Sequence, residues 1–177
     1  MPGGGKSTVG RQLARRLKAS FLDTDDLIRQ DIGCSIAAFF QAHGEERFRG
    51  VESTVLRKLL DSADSQTRVI ATGGGIVSRE VNRQMLRDRA VCIYVRAMPE
   101  ELFRRIKHDT RRPLLQVADP LQKLRELFQE RDPLYRATAQ FVIETGRPSV
   151  STLVNLILMQ LELAGCVDPT TVRSSVS

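Results

Sequence analysis

The chain has 177 residues, 41% hydrophobic and 27% charged, the proportions of one globular domain with a core of its own. No apolar run approaches a membrane span, no secretory signal is expected ahead of the first motif, and Cys34, Cys92 and Cys166 have neither metal-ligand spacing nor a disulfide framework, so incidental thiols in a reducing cytoplasm are expected. The net charge of +6 admits nucleic acid, but the basic residues form no run beyond short pairs and aromatics are only 5%; that argues against stacking platforms and suits small anionic substrates.

In chain order, Met1-Pro2-Gly3-Gly4-Gly5-Lys6-Ser7-Thr8 ends a phosphate-binding loop of the pattern G-x-x-x-x-G-K-[ST], whose first glycine would fall one position before Met1. Glycines let backbone N–H groups ring a phosphate. The helix expected over Ser7–Leu17, with Val9, Leu13 and Leu17 on one face, would point its N-terminal dipole at the anion. In this motif Lys6 reaches the β- and γ-phosphates and the Ser7 hydroxyl ligates Mg²⁺.

A short strand over Ser20–Leu22 then ends at Asp23-Thr24-Asp25. One carboxylate there suits a magnesium shell and the other an attacking hydroxyl; the same triplet can simply cap a helix, a task for Asp25 or Asp26. Helices are expected over Asp25–Gln30, Ser35–Ala42 and Glu45–Leu60, the last with Phe48, Val51, Val55, Leu56, Leu59 and Leu60 on one side. A buried strand, Arg68–Ala71, runs into Gly73-Gly74-Gly75. Three glycines exceed what a turn needs and fit a close approach of backbone to a polar ligand.

Next come a helix over Glu80–Arg87, a strand over Ala90–Val95 and a helix over Glu100–His108. The stretch from Asp109 to Asp119, bearing Arg111-Arg112-Pro113, lacks periodicity and reads as a mobile loop. A helix over Leu121–Glu130, a strand over Phe141–Glu144 and a helix over Ser149–Leu163 complete the pattern. Alternating strands and helices predict an α/β fold with a parallel sheet, whose ligands bind beyond the carboxyl ends of the strands. The phosphate loop, Asp23/Asp25 and Gly73–Gly75 all fall at such ends. Taken alone, Arg49, Arg112 and Arg131 read as solvated side chains.

Gly5-Lys6-Ser7-Thr8, Phe21-Leu22-Asp23-Thr24-Asp25, Phe48-Arg49 with Glu52, Gly73-Gly74-Gly75, Arg112-Pro113-Leu114-Leu115 and Arg131-Asp132-Pro133-Leu134-Tyr135 follow one another in order. Together they resemble the shikimate kinase family, from the loop to about Pro148. The resemblance implies a three-layer P-loop kinase fold with a central parallel sheet of order 2-3-1-4-5. It implies Mg²⁺-dependent transfer of the ATP γ-phosphoryl to the 3-hydroxyl of shikimate by a monomeric cytoplasmic enzyme with no nucleic-acid or membrane partner.

It also gives the residues roles. Lys6, Asp25 and Arg112 are the catalytic set, with Asp25 the candidate base. Asp25, Arg49, Gly73, Gly74, Gly75 and Arg131 hold shikimate, the arginines on its carboxylate. Gly3, Gly4, Gly5, Lys6, Ser7, Thr8, Arg105, Arg112, Arg147 and Pro148 hold ATP, and Ser7 and Asp23 the metal. Residues 1–166 form one domain with a lid at about 109–120, and 167–177 a disordered tail. The family's first strand, central in the sheet, precedes the loop and is absent from this sequence; its loss is expected to expose two strand edges and leave a groove in the core. On this reading Met1 is an internal methionine, with about 10 or more residues upstream. Another kinase of the same fold acting on gluconate, or a nucleotide-binding module without activity, are the alternatives.

Overall fold

The computed structural model describes residues 5–62, 66–107, 117–145 and 149–168. Their elements are α1 (Lys6–Arg16), β1 (Ser20–Asp23), α2 (Thr24–Ile32), α3 (Ile36–Asp61), β2 (Arg68–Ala71), a 3₁₀ turn (Ile76–Ser78), α4 (Glu80–Arg89), β3 (Ile93–Arg96), α5 (Pro99–Ile106), α6 (Pro120–Thr138), β4 (Phe141–Glu144) and α7 (Val150–Leu163). Every helix and strand read from the sequence is present. The expected lid lies largely outside the described residues, and the tail from residue 169 on lies wholly outside them.

Three boundaries differ for identifiable reasons. The helices expected either side of Gly44 share one range, α3, but Gly44 leaves helical geometry with φ 78° and ψ 173°, a conformation that strongly favours glycine. The strand expected from Ala90 starts at Ile93, because Ala90 closes α4 by donating its N–H to the Leu86 carbonyl at 3.1 Å. The helix expected to stop at Glu130 runs on to Thr138, with Pro133 inside it. An interior proline costs about 3 kcal/mol; Tyr135 and Thr138, both buried beyond it, supply the packing that offsets it.

Among the described residues the strands form two parallel pairs, β1–β2 and β3–β4. The two pairs correspond to the two flanks, 2-3 and 4-5, of the expected order 2-3-1-4-5. Side chains alternate along β3: Tyr94 joins a core with Leu56, Ile76, Leu86, Leu102 and Leu124, whereas Ile93 and Val95 pack with α1 and α7 against Val9, Leu13, Val154, Ile157 and Leu158. Helices therefore cover both faces, as three layers require. A third cluster, Ile28, Phe48 and Val55, joins α2 to α3.

Between the two strand pairs lies a cavity of about 460 Å³, lined by residues 68–72 of one pair and 91–95 of the other, with Leu13 and Ile157 on one wall and Leu56 and Leu86 on the opposite wall. Neither β2 nor β3 has a sheet partner on that side among the described residues. The expected groove with two exposed edges is thus present. Its lining is largely apolar, with Lys6 and Tyr135 also reaching it, and most of the candidate chemistry sits at the carboxyl ends of β1 and β2.

Candidate active site

Gly5 caps α1 in the left-handed region, φ 68°, the conformation that turns a loop into a helix without a Cβ clash. No acidic residue occupies the first turn of α1, leaving its N-terminus and Lys6 as a positive pole. Ser7, one residue on, donates its hydroxyl to Asp23 Oδ2 at 2.6 Å. The other oxygen of Asp23 accepts the Asp25 backbone N–H at 3.0 Å. Asp23, rather than Asp25 or Asp26, is therefore the cap of α2, which leaves the Asp25 side chain for other work.

Asp25 is half-buried, and its carboxyl is pushed above the usual range by burial first and the neighbouring Asp23 charge second, against the opposing pull of Lys6 and Arg29. Its Oδ1 sits 2.9 Å from where a Cβ on Gly73 would stand, and Glu52 Oε1 sits 3.0 Å from the same point. Between the two aspartates, Thr24 is only 1% exposed and accepts the Gly73 N–H at 2.9 Å. That bond fixes the end of β1 to the glycine segment after β2.

On α3, Arg49 and Glu52 are three residues apart and share a face. Arg49 Nη1 donates to Glu52 Oε2 at 2.7 Å, and Nη2 donates to Glu45 at 3.1 Å. Glu52 is 2% exposed. Burial raises its carboxyl above the ordinary range, Arg49 pulls it down, and Asp25 pushes it up again. From α6, Arg131 Nη1 donates to the Gly74 carbonyl at 3.0 Å, and the Tyr135 hydroxyl donates to the same oxygen at 2.6 Å.

The structure thus brings together Asp25, Arg49, Gly73, Gly74, Gly75 and Arg131, with Lys6, Ser7 and Asp23 beside them. Thr8 and Arg105 are exposed on α1 and α5. Gly3, Gly4, Arg112, Arg147 and Pro148 lie outside the described residues. Sequence reading gave no role to Glu52, Thr24 or Tyr135. Glu52 was findable as a carboxylate on the apolar stripe of α3, between Phe48 and Val55.

None of the three glycines has positive φ; Gly73 and Gly75 are explained by space. Gly73 faces the Asp25 and Glu52 carboxylates, and a Cβ on Gly75 would overlap the Arg49 guanidinium. The close approach expected of a ligand is made by the protein's own charged side chains. Gly75→Ala should therefore push the Arg49 guanidinium aside: the KM of the carboxylate-bearing substrate rises about tenfold or more, and the melting temperature falls because the bond to buried Glu52 is disturbed. Steady-state kinetics and a thermal melt check this; an unchanged KM would contradict it.

The arrangement can hold a phosphate at the start of α1, a divalent cation at Ser7 and Asp23, and, between Arg49 and Arg131, a carboxylate. A hydroxyl held against Asp25 could lose its proton there.

Comparison with known proteins agrees with this chemistry. The family model described as shikimate kinase matches residues 2–162. The chain is 54% identical to the shikimate kinase of Paracidovorax citrulli over 170 residues, 96% of this chain and 92% of that one. It is 48% identical to that of Cupriavidus pinatubonensis over 163 residues, 92% of this chain and 83% of that one. Among solved structures, a shikimate kinase from Acinetobacter baumannii in complex with shikimate aligns with a TM-score of 0.84 at 42% identity, over 92% of this chain and 89% of that one. One from Bacteroides thetaiotaomicron aligns at 0.82 with 26% identity, over 91% of this chain and 94% of that one.

Proposed function

The chain belongs to the shikimate kinase family, and on that premise we propose that the cluster around Asp25 transfers the γ-phosphoryl of ATP to the 3-hydroxyl of shikimate. The observation that carries the assignment of residues is the convergence of one half-buried carboxylate, Asp25, with Arg49 and Arg131 around the Gly73–Gly75 wall. Phosphoryl transfer leaves the protein little covalent work: it must position the hydroxyl and offset charge on the phosphoryl oxygens.

Arg49 and Arg131 hold the shikimate carboxylate, and Gly73 to Gly75 form the wall against which the ring lies. This places a hydroxyl at Asp25, which accepts its proton as the oxygen bonds to phosphorus; the bond to the bridging oxygen breaks and ADP leaves. Gly5, Lys6 and Thr8 bind the ATP phosphates, with Lys6 on the β- and γ-oxygens. Gly3, Gly4, Arg105, Arg147 and Pro148 complete the nucleotide site, and Arg112 adds its charge to the transferring group from a lid.

Ser7 and Asp23 are hard oxygen donors, 2.6 Å apart, a set that suits Mg²⁺. Asp23 already accepts two hydrogen bonds, so it fits an outer position and Ser7 the direct one. Mg²⁺, when bound, neutralises phosphate charge and orients the chain of phosphates. The enzyme is read as a monomer of the cytoplasm; no described helix is long and apolar enough to cross a membrane.

The test is ADP release from Mg–ATP over a panel of shikimate, gluconate and nucleoside monophosphates. Release with shikimate, abolished by chelation of Mg²⁺, is expected. Release with gluconate and not with shikimate would overturn the substrate.

A further inference from the structure

The wall of the proposed shikimate pocket is three consecutive glycines, a segment with no Cβ to restrict it and the largest backbone entropy to lose. Such a wall cannot hold its shape unaided. Its first glycine is pinned by Thr24. Its second presents a carbonyl oxygen to two donors at once, Arg131 and Tyr135, both from α6 and four residues apart.

The two donors differ in kind. Arg131 is a donor with several N–H groups: besides Nη1 on Gly74, its Nε donates to Glu130 Oε1 at 3.5 Å. Tyr135 is 9% exposed, and its ring stacks on Tyr94 with centroids 4.6 Å apart and planes 17° apart. The Tyr94 hydroxyl donates to Asp132 Oδ1 at 2.9 Å, and the same oxygen accepts Arg96 Nε at 2.8 Å. Asp132 Oδ2 accepts Arg136 Nε at 2.9 Å. Burial would raise the Asp132 carboxyl, but bonds from Arg96, Arg136 and Tyr94 hold it below the ordinary range, so this support stays charged at neutral pH. Tyr135 is thus a rigid post set in β3 and α6, with its hydroxyl on the Gly74 carbonyl.

We infer that Tyr135 is a positioning residue for substrate: it fixes the Gly74 carbonyl, which in turn anchors one N–H of Arg131 and aims the rest of the guanidinium at the shikimate carboxylate. Without the hydroxyl, the peptide after Gly74 is free to rotate between two glycines, and Arg131 loses its anchor. This rests on the proposed role of Arg131.

The variant is Tyr135→Phe, which keeps the ring and its stacking. Loss of one neutral hydrogen bond is expected to raise the KM for shikimate about fivefold, with kcat and the KM for ATP within about twofold. In an Arg131→Ala background, where the KM is already high, Tyr135→Phe should add less than about twofold, because its effect passes through Arg131. A KM for shikimate unchanged by Tyr135→Phe, or equal effects in both backgrounds, overturns the inference while leaving the role of Arg131 intact. An Arg131→Ala enzyme with unchanged KM overturns both.

Should Tyr135→Phe fail to fold, the unmutated chain still gives an answer, since it has only two tyrosines. Labelled with 3-fluorotyrosine, it has two ¹⁹F resonances, assigned through Tyr94→Phe. Shikimate is expected to move the Tyr135 signal, and a shikimate analogue lacking the carboxylate is not. A Tyr135 signal indifferent to shikimate, or moved equally by both, overturns the inference.

Discussion

Asp25→Asn should lower kcat about 10²- to 10⁴-fold, the usual contribution of a positioned general base, while leaving the KM for ATP nearly unchanged. Asparagine keeps the size and one acceptor of the side chain, so the loss is assigned to the missing base. In the unmutated enzyme, kcat/KM for shikimate should fall on acidification, with its midpoint above the ordinary aspartate range, because burial and then Asp23 raise the Asp25 carboxyl. The variant should lack that acid limb.

The same shift has a sign in stability. A carboxyl whose folded-state pKa is raised contributes most below its unfolded pKa, and the contribution is lost as pH rises through the folded value. At neutral pH the ionised Asp25 therefore weighs against folding, and Asp25→Asn should melt higher than the parent. A kcat reduced less than tenfold, or a surviving acid limb, would rule out Asp25 as the base.

Arg49→Ala is the second large effect, and it acts on binding and folding together. Truncating one partner of a buried, hydrogen-bonded charge pair weakens binding by orders of magnitude; the KM for shikimate should rise about 100-fold and that for ATP little. The variant also strands Glu52, 2% exposed, which lowers stability by about 3 kcal/mol at neutral pH. Glu52 already leans toward its neutral form through burial, so without Arg49 stability should recover as the pH falls through its raised pKa. Arg49→Ala with Glu52→Gln should restore the melting temperature but not the KM. Paired thermal melts and kinetics separate the two; equal increases in both KM values would refute the carboxylate role.

Much of this site was legible because its parts stand at strand ends. Asp23 and Asp25 alternate around Thr24, and Gly73–Gly75 follow the short strand Arg68–Ala71, apolar from Val69 on. The arginines were not legible from residues alone. Arg49 and Arg131 have no local pattern that separates them from a solvated arginine, and only the ordered set of motifs gave them work. Capping of α2, weighed for Asp25 or Asp26, falls to Asp23 because strand length decides it: β1 runs to Asp23, one residue beyond Leu22. The extent of α6 was hidden by Pro133, which signals a stop locally and is overridden by the burial of Tyr135 and Thr138.

The interrupted sheet has a consequence for how the pocket is held. Lys6, Asp25, Arg49 and the glycines belong to the leaf built on β1 and β2. Arg131 and Tyr135 hang from α6, tied through Tyr94 and Asp132 to the leaf built on β3 and β4. No backbone ladder joins the leaves among the described residues, so side-chain packing, the Arg16–Asn155 hydrogen bond between α1 and α7 and the bonds onto Gly74 resist their sliding past one another. A carboxylate gripped by one arginine from each leaf would act as a strut across that seam, and the free energy of binding would appear partly as mechanical stiffness.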